Sequence, residues 1–535
     1  MNSASGRRRQ RAGDRRPEAI AVSSLQPPVF VVRILAWAAI VVLAAVILAN
    51  SMTKEIGRDE QMYCTAGVLS AHGKMIYRDF SYPSQLPYHP LLLAACYRVL
   101  GTTHYLLVGR LISAGSDFLV VLVILLIYRF VFSPRRTEGL LFGLAAAAIY
   151  VFNPFVDYAA GYAWNHDVVI LCVAGALGLF VTTDFQQRAC WRVGIMGVLL
   201  TVATCMRVTT ALAEALFLGA ILWMVDGTLR NRVRMALPFL VGTLAMLAWP
   251  AWVILQAPEA FRLNLVRIPT LYGRWLHEIG MTFGKIPLTV NALVMPGCLI
   301  LLILAAGLLW AGLRCRSNLA AQERRKALAA ALLPLAFVVI AYIPPTMWLQ
   351  YLAVPVPFIV VAFAYPLAAL RRQASSHDLG RRTAPFAMTA AALLCVFTCP
   401  AALSRTMFVL VPERWEPIRS HGVSRAVMEQ VREPKRVLTL GPLYALEGGC
   451  DIYTGLASGS IVYRIADRMT PEERRITHTV GPGTISEMVV ERPPAAVIVG
   501  VEPPRFGFLE EPLRRIVPPD WRNVGIEPLQ AYLPP

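Results

Sequence analysis

Charge is scarce in this chain. Only 16% of its residues are Asp, Glu, Lys or Arg, against 56% hydrophobic, whereas soluble proteins carry about 25% charged residues. That excludes an ordinary soluble enzyme and indicates a polytopic membrane protein. C-x-x-C pairs are also missing. The ten cysteines are scattered, many inside apolar runs (Cys172, Cys205, Cys298, Cys395, Cys399), which gives neither a zinc signature nor a disulfide framework. There is no D-x-D motif, no Gly-rich phosphate loop and no soluble cytoplasmic domain to house nucleotide-sugar machinery. Repeats and low-complexity tracts are absent. The net charge of +18 does not indicate nucleic acid, because the basic residues form short clusters between apolar runs, as in cytoplasmic loop ends.

At roughly 20 apolar residues per span, about 11 spans are expected, near 29–50, 105–132, 139–156, 165–183, 192–206, 208–225, 235–256, 291–313, 327–343, 351–370 and 384–411. The 192–225 stretch also reads as one broken segment. The basic N-terminal tail 1–28 precedes an apolar run too long for a signal peptide, so the first span is expected to stay uncleaved. Basic clusters at Arg7 to Arg16, Arg135/Arg136, Arg188/Arg192, Arg230 to Arg234, Arg314 to Lys326 and Arg371 to Arg382 fall on one side if 86–101 does not cross. That segment has two prolines and a histidine, which suits an interfacial or re-entrant helix. The positive-inside rule makes the basic side cytoplasmic. A transmembrane domain 29–411 then has outer, periplasmic loops at 51–104 and 257–290, and a soluble tail 412–535. In that tail "RVLTLG" (436–441) and "AAVIVGVE" (495–502) alternate with helical stretches such as "TPEERRI". The expected fold is an all-α membrane bundle carrying a small C-terminal α/β periplasmic domain.

Polar groups concentrate on the outer side. The first loop supplies Asp59, Glu60, Asp79, Tyr82, Gln85, Tyr88 and His89. The next supplies Asp157, Asn165, His166 and Asp167, and a tight turn supplies Arg207. Loop 257–290 adds Arg262, Arg267, Tyr272, Arg274, His277 and Lys285. Acids gathered with cations at a bilayer surface suit sugar transfer from a polyprenyl phosphate. A carboxylate takes the acceptor hydroxyl's proton, and fixed positive charge holds the departing phosphate.

The stretch "GRDEQMYCTAGVLSAHGKMIYRDFSYPSQLPYHPLLLAACYRVLGTTHYLLVGRLIS" resembles the first outer loop of bacterial GT-C glycosyltransferases. The similar group holds aminoarabinose transferases, rhizobial galacturonosyltransferases of lipopolysaccharide and protein O-mannosyltransferases. The matching positions are Asp59, Glu60, Tyr63, Ala66, Gly73, Tyr77, Asp79, Pro83, Pro87, Pro90, Leu100, Gly101 and Arg110. Asp167 matches the family's Asp before the fourth span, and Arg207 its cation between the fifth and sixth. "WLQYLAVPVPF" (348–358), with Gln350 and Tyr351, resembles a late outer segment. The chain departs from lipid A-modifying relatives at Met62, where many have Arg, and at Ser84, Gln85 and Leu86, where they have Lys. Phosphate binding then falls to Arg58, His89, Arg207 or loop 257–290, and the sugar is left open.

The resemblance implies an inverting glycosyltransferase of the bacterial inner membrane. Its donor would be a polyprenyl-phosphate sugar and its acceptor a lipid, glycan or protein. The expected catalytic residues are Asp59, as base, and Asp167. The expected substrate-binding residues are Arg58, Glu60, Tyr63, Tyr82, Gln85, His89, Arg207, Arg267 and Tyr351. Plainer readings stand beside these. Asp167 also suits a helix N-terminus, Arg207 a snorkelling cation and Tyr351 an aromatic belt. Arg110 and Asp117, about seven residues apart on one helix face, read as structural partners within the bundle. No cofactor is indicated. A divalent metal is left open, with His89 lacking a second ligand at useful spacing. A flippase of lipid-linked sugars is the rival reading, although it would call for the paired repeats seen in transporters.

Overall fold

The computed structural model describes residues 29–187, 190–281, 284–344, 346–372, 379–526 and 529–535. The basic tail 1–28, Arg188 and residues 373–378 of the 371–382 cluster lie outside them. Helices α1 (Val29–Thr53), α2 (Arg58–Ala71), α3 (Tyr88–Leu100), α4 (Tyr105–Val131), α5 (Arg136–Val151), α6 (Pro154–Ala159), α7 (His166–Thr182), α8 (Cys190–Thr204), α9 (Ala211–Met224) and α10 (Leu229–Gln256) form the first half. Then come α11 (Pro258–Arg262), a π-turn (Leu263–Arg267), α12 (Ile268–Glu278), α13 (Lys285–Leu293), α14 (Pro296–Arg314) and α15 (Ala321–Tyr342). The membrane part closes with a helix over Gln350–Arg371 and the segment Leu379–Thr398.

Among the described residues, six helices are long and apolar enough to cross a bilayer, making this a multi-pass membrane protein. A bent pair, Thr383–Thr398 with Pro400–Phe408, brings the number to seven if it counts as one span. The sequence placed this last span unbroken over 384–411. It kinks by 70° because Pro400 has no N–H to give, and the residue before a proline is pushed out of helical backbone. The same chemistry ends α5 at Val151 rather than 156: Pro154 starts α6, and the Asn153 side chain caps it at the Phe155 N–H (3.0 Å).

Four expected spans fall on shorter helices, α5, α7, α8 and α9, with 16, 17, 15 and 14 residues. Seventeen residues rise about 25 Å, less than the ~30 Å hydrocarbon core. The N-terminal ends of α7 and α9 and the C-terminal end of α8 adjoin Asn165, Thr210 and Arg207, which all border one cavity. The 192–225 stretch is two helices joined by the turn that holds Arg207. The 86–101 stretch forms α3, which at 13 residues is too short to cross.

The C-terminal segment contains a five-stranded sheet in the order β2-β1-β3-β5-β4. Its strands are β1 (Arg436–Thr439), β2 (Asp451–Ile452), β3 (Ala496–Val499), β4 (Arg522–Asn523) and β5 (Gln530–Leu533). β1 pairs in parallel with β2 and β3, while β5 runs antiparallel to β3 and β4. All four residues of β3 are buried, as expected for an unbroken apolar run covered on both faces. This segment shares a core with the stretch 58–100: Val427, Leu443 and Ala496 pack in one cluster with Met62, Phe80 and Leu93. Polar ties reinforce the contact. The Leu443 N–H donates to Gln61 (3.0 Å), the Leu106 N–H to Glu447 (2.7 Å), and Ser458 to the Ser81 carbonyl (2.7 Å).

Candidate active site

The segment that opens α2 begins at Gly57, whose N–H donates to the Glu60 side chain (2.8 Å). Successive helical residues point about 100° apart, so Asp59 and Glu60 face different surroundings. Glu60 is fully buried. Arg110 on α4 donates to it twice, Nε to Oε1 (2.9 Å) and Nη2 to Oε2 (2.8 Å), and the Ala163 N–H adds a third donor to Oε1 (2.6 Å). Arg110 spends its other N–H groups on the carbonyls of Ser51, Lys54 and Glu55. One buried ion pair thereby knots α1, α2, α4 and the 153–165 loop. That loop lies against α1 because Gly161, at φ +87, has no Cβ; an added one would sit 2.9 Å from the Ser51 Cα.

Asp59, one residue earlier, makes no hydrogen bond or ion pair with another described residue. It is half-buried and lines a cavity of about 640 Å³. Burial raises its carboxyl above the ordinary range. Arg58, Arg464 and Arg207 pull the other way, and Glu60 adds to the rise.

The same cavity receives Arg58, Tyr63, Gln85, Arg207 and Tyr351 from the residues singled out by sequence. Arg207 has no carboxylate partner among the described residues. Its guanidinium donates to the Asn165 side-chain oxygen (2.9 Å), and the Asn165 amide donates to Gln85 (2.8 Å) and the Met206 carbonyl (2.9 Å). This relay aims Arg207 while leaving its charge uncompensated. The first loop is pinned across the cavity rim by Asn264, whose side-chain oxygen accepts from Ser81 (2.6 Å) and the Tyr82 N–H (2.9 Å). Ser84, held at φ 62, donates its N–H to the Asn264 carbonyl (3.0 Å). Left-handed backbone at a non-glycine residue persists only where the surroundings enforce it.

Other candidates lie behind this surface. Tyr82 and His89 are buried and meet the Tyr63 ring edge-on at 6.0 and 5.1 Å, so they buttress it rather than line the cavity. Burial lowers the His89 imidazole to about 3, which keeps it neutral and unsuited to hold phosphate by charge. Asp167 is buried under the loop: one oxygen accepts from the Gly161 N–H (2.8 Å) and the other has no partner. Arg267 turns away to pair with Glu473 of the C-terminal segment (3.0 Å), although its neighbours Ile268 and Tyr272 do line the cavity.

Two further candidate acids are engaged. Asp157 receives both Arg405 bonds at 2.7 Å, and Asp79 is tied to Arg78 and the Met75 N–H. Lys54, its ammonium lowered by burial to about 7, holds the Tyr158 and Ala160 carbonyls and stabilises the loop. Arg110 and Asp117 do not pair with each other: Arg110 takes Glu60, and Asp117 accepts from Tyr150.

Sequence reading missed Arg464 and Arg505, which enter the cavity from the C-terminal segment. Arg464 is nearly fully buried, stacked among Tyr272 (5.7 Å), Trp275 (5.1 Å) and Phe506 (5.4 Å). Arg58 and Arg464 share Glu502 at 3.6 and 3.7 Å. Four guanidiniums, Arg58, Arg207, Arg464 and Arg505, therefore line the same cavity as the unpaired Asp59 carboxylate, while Glu60, the other acid on that lining, is saturated. Among the described residues no three His, Cys, Asp or Glu side chains converge as a metal site.

Comparison with known proteins came out on the side of the fold. No family model matches the chain, and no curated protein sequence does either. A solved structure of ArnT from Cupriavidus metallidurans bound to undecaprenyl phosphate superposes with a TM-score of 0.58 at 15% identity, covering 94% of this chain and 98% of that one. The apo form of the same protein gives 0.57 at 14% identity, covering 94% and 97%. This chain has the GT-C fold.

Proposed function

We propose that this chain is an integral-membrane inverting glycosyltransferase that moves a sugar from a polyprenyl-phosphate donor to an acceptor at the outer face of a bacterial inner membrane. The observation that carries this reading is the contrast inside one cavity between Asp59, the unpaired carboxylate, and Arg207, a cation without a counter-ion. The solved relative in fold is bound to undecaprenyl phosphate, which suits a lipid-linked donor here.

In this mechanism Asp59 accepts the proton of the acceptor hydroxyl as its oxygen attacks the anomeric carbon. The bond from that carbon to the phosphate oxygen breaks, and the polyprenyl phosphate leaves with its electron pair. The leaving group needs positive charge more than a proton. Arg207 and Arg58 supply it, while Tyr63, Gln85 and Tyr351 shape the sugar's surroundings. Asp167 keeps the loop in place from behind, and Arg267 fastens the C-terminal segment.

The test is mass spectrometry of lipids and glycans from cells lacking the protein, set against cells complemented with wild type or Asp59→Asn. A hexose, pentose or uronic acid mass that disappears and returns only with wild type supports the reading and identifies sugar and acceptor together. Full restoration by Asp59→Asn overturns the mechanism. A build-up of donor on one side of the membrane, with transfer chemistry intact, favours a flippase.

A further inference from the structure

A second cavity, of about 800 Å³, opens at the opposite end of the bundle from Asp59. It lies where α4, α7 and α15 meet the end of the Gln350–Arg371 helix. Its apolar wall comes from Val123, Leu126 and Phe130 of α4 and from Gly175 and Leu179 of α7. Leu126 and Phe130 are 61% and 47% exposed, so the wall opens sideways to the bilayer rather than into the protein. The α4 part runs from Val123 to Val131, a rise of about 12 Å. That length takes part of one acyl chain.

The polar end of this cleft is cationic. Lys326 is 7% exposed and forms no ion pair with a described residue. Its ammonium donates to the Val181 and Thr183 carbonyls, both at 2.7 Å, and an ammonium has a third N–H left. Asp184 and Glu323 act on this ammonium from a distance without pairing with it, and both Glu323 oxygens are bonded to Arg372 (2.6 and 2.9 Å). Arg129 and Arg136 stand exposed on the cleft lining, and their guanidiniums form no hydrogen bond or ion pair with another described residue. A buried ammonium with an N–H unspent and two guanidiniums on the same lining give the cleft a polar end whose charge suits an anion.

We propose that this cleft is a binding site for an anionic glycerophospholipid of the membrane leaflet that the basic loops face. One acyl chain lies along α4 and α7, and the phosphodiester sits among Lys326, Arg129 and Arg136. The short apolar trough, open to lipid along its side, favours an ordinary acyl chain over a long polyprenyl tail. The site is separate from the sugar-transfer cavity and does not rest on that function.

The full-length protein, purified in a neutral detergent, is titrated with dioleoylphosphatidylglycerol, dioleoylphosphatidylcholine or undecaprenyl phosphate, and retained lipid is counted by native mass spectrometry. We expect one phosphatidylglycerol per chain, retained at least tenfold better than phosphatidylcholine. Arg129→Gln with Arg136→Gln, both at exposed positions, lowers that retention at least tenfold without changing the melting temperature. Asp59→Asn leaves it unchanged. Equal retention of the two phospholipids, or a double variant that binds like wild type, overturns the proposal. Undecaprenyl phosphate that displaces phosphatidylglycerol at equal concentration from wild type overturns the assignment of the lipid class.

Discussion

The two faces of α2 use the same chemical group in opposite ways. On the face turned to α4, Glu60 has no exposed surface and accepts four hydrogen bonds, two of them from Arg110. On the face turned to the cavity, Asp59 is half-buried and accepts none. A carboxylate whose oxygens are filled by donors is committed to holding its neighbours in place. A carboxylate left open at a cavity wall is available as a base. The saturated neighbour fixes the helix that presents the open one, so positioning and chemistry are divided between adjacent residues.

The largest effect is expected on the α4 face. Glu60→Ala strands Arg110 in the bundle, and breaking a buried pair costs about 3–5 kcal/mol. The melting temperature of the detergent-solubilised protein should fall sharply, and Arg110→Met placed on top of Glu60→Ala should recover part of the loss. If Glu60→Ala keeps the melting temperature and loses only transfer, the division between the two faces is wrong. The cavity face behaves in the opposite sense. Asp59→Asn should lower the transfer rate at least ~100-fold, or about 2.7 kcal/mol at 1.36 kcal/mol per tenfold, while melting stays within a degree or two of wild type.

Much of the arrangement was legible in the sequence, for reasons that also mark where reading stops. Run length and charge clusters outlined the long apolar helices, because burying twenty residues in lipid requires an uninterrupted apolar stretch. Arg58, Asp59, Tyr63, Gln85, Arg207 and Tyr351 line one cavity, as expected of polar groups gathered at the ends of spans. What spacing could not say is which of two adjacent acids is left unbonded at the cavity. That depends on Arg110, fifty positions downstream, and on a loop N–H at Ala163. Tyr82 and His89 carry polar atoms yet are buried with their rings edge-on to Tyr63, a placement that spacing does not show. Arg464 and Arg505 lie some 400 residues from Asp59. Only the tertiary contact of the C-terminal segment with α2 and α12 brings them in, and no local pattern around "SIVYRIA" signals it. The breaks at Pro154 and Pro400 were written in the chain, and lengthening the spans across them overlooked what a missing N–H does to a helix.

Arg207 tests whether the open face is a pair of opposite charges rather than a lone acid. Arg207→Gln removes a charge-assisted contact of about 1.5–3 kcal/mol and should cut transfer roughly 10- to 100-fold, with weaker retention of undecaprenyl phosphate. Arg207→Lys keeps the charge but loses the fork that the Asn165 oxygen orients, so a partial rescue is expected. A wild-type rate in Arg207→Gln would move the phosphate contact to the Arg58, Arg464 and Arg505 side of the cavity.

The smallest effect is a pH shift, and it separates the electrostatics of the open face from its geometry. Burial holds the Asp59 carboxyl above the usual range near 3.9, and the Arg58 guanidinium is the first of the charges that oppose the rise. A base must be ionised, so the acid limb of kcat/KM should lie above that ordinary value and activity should fall as pH drops through it. Arg58→Gln takes away the neighbour that favours the ionised form. The limb should then move to higher pH, with a rate loss that is small well above it and largest below. Arg58 reaches the site from the residue next to Asp59 and is itself anchored over Phe506 at 4.5 Å, so its loss leaves the α4 face and the Glu60 knot untouched. A limb that stays put in Arg58→Gln assigns the titration to another group, and one that moves to lower pH shows that Arg58 acts on Asp59 through packing and not through charge.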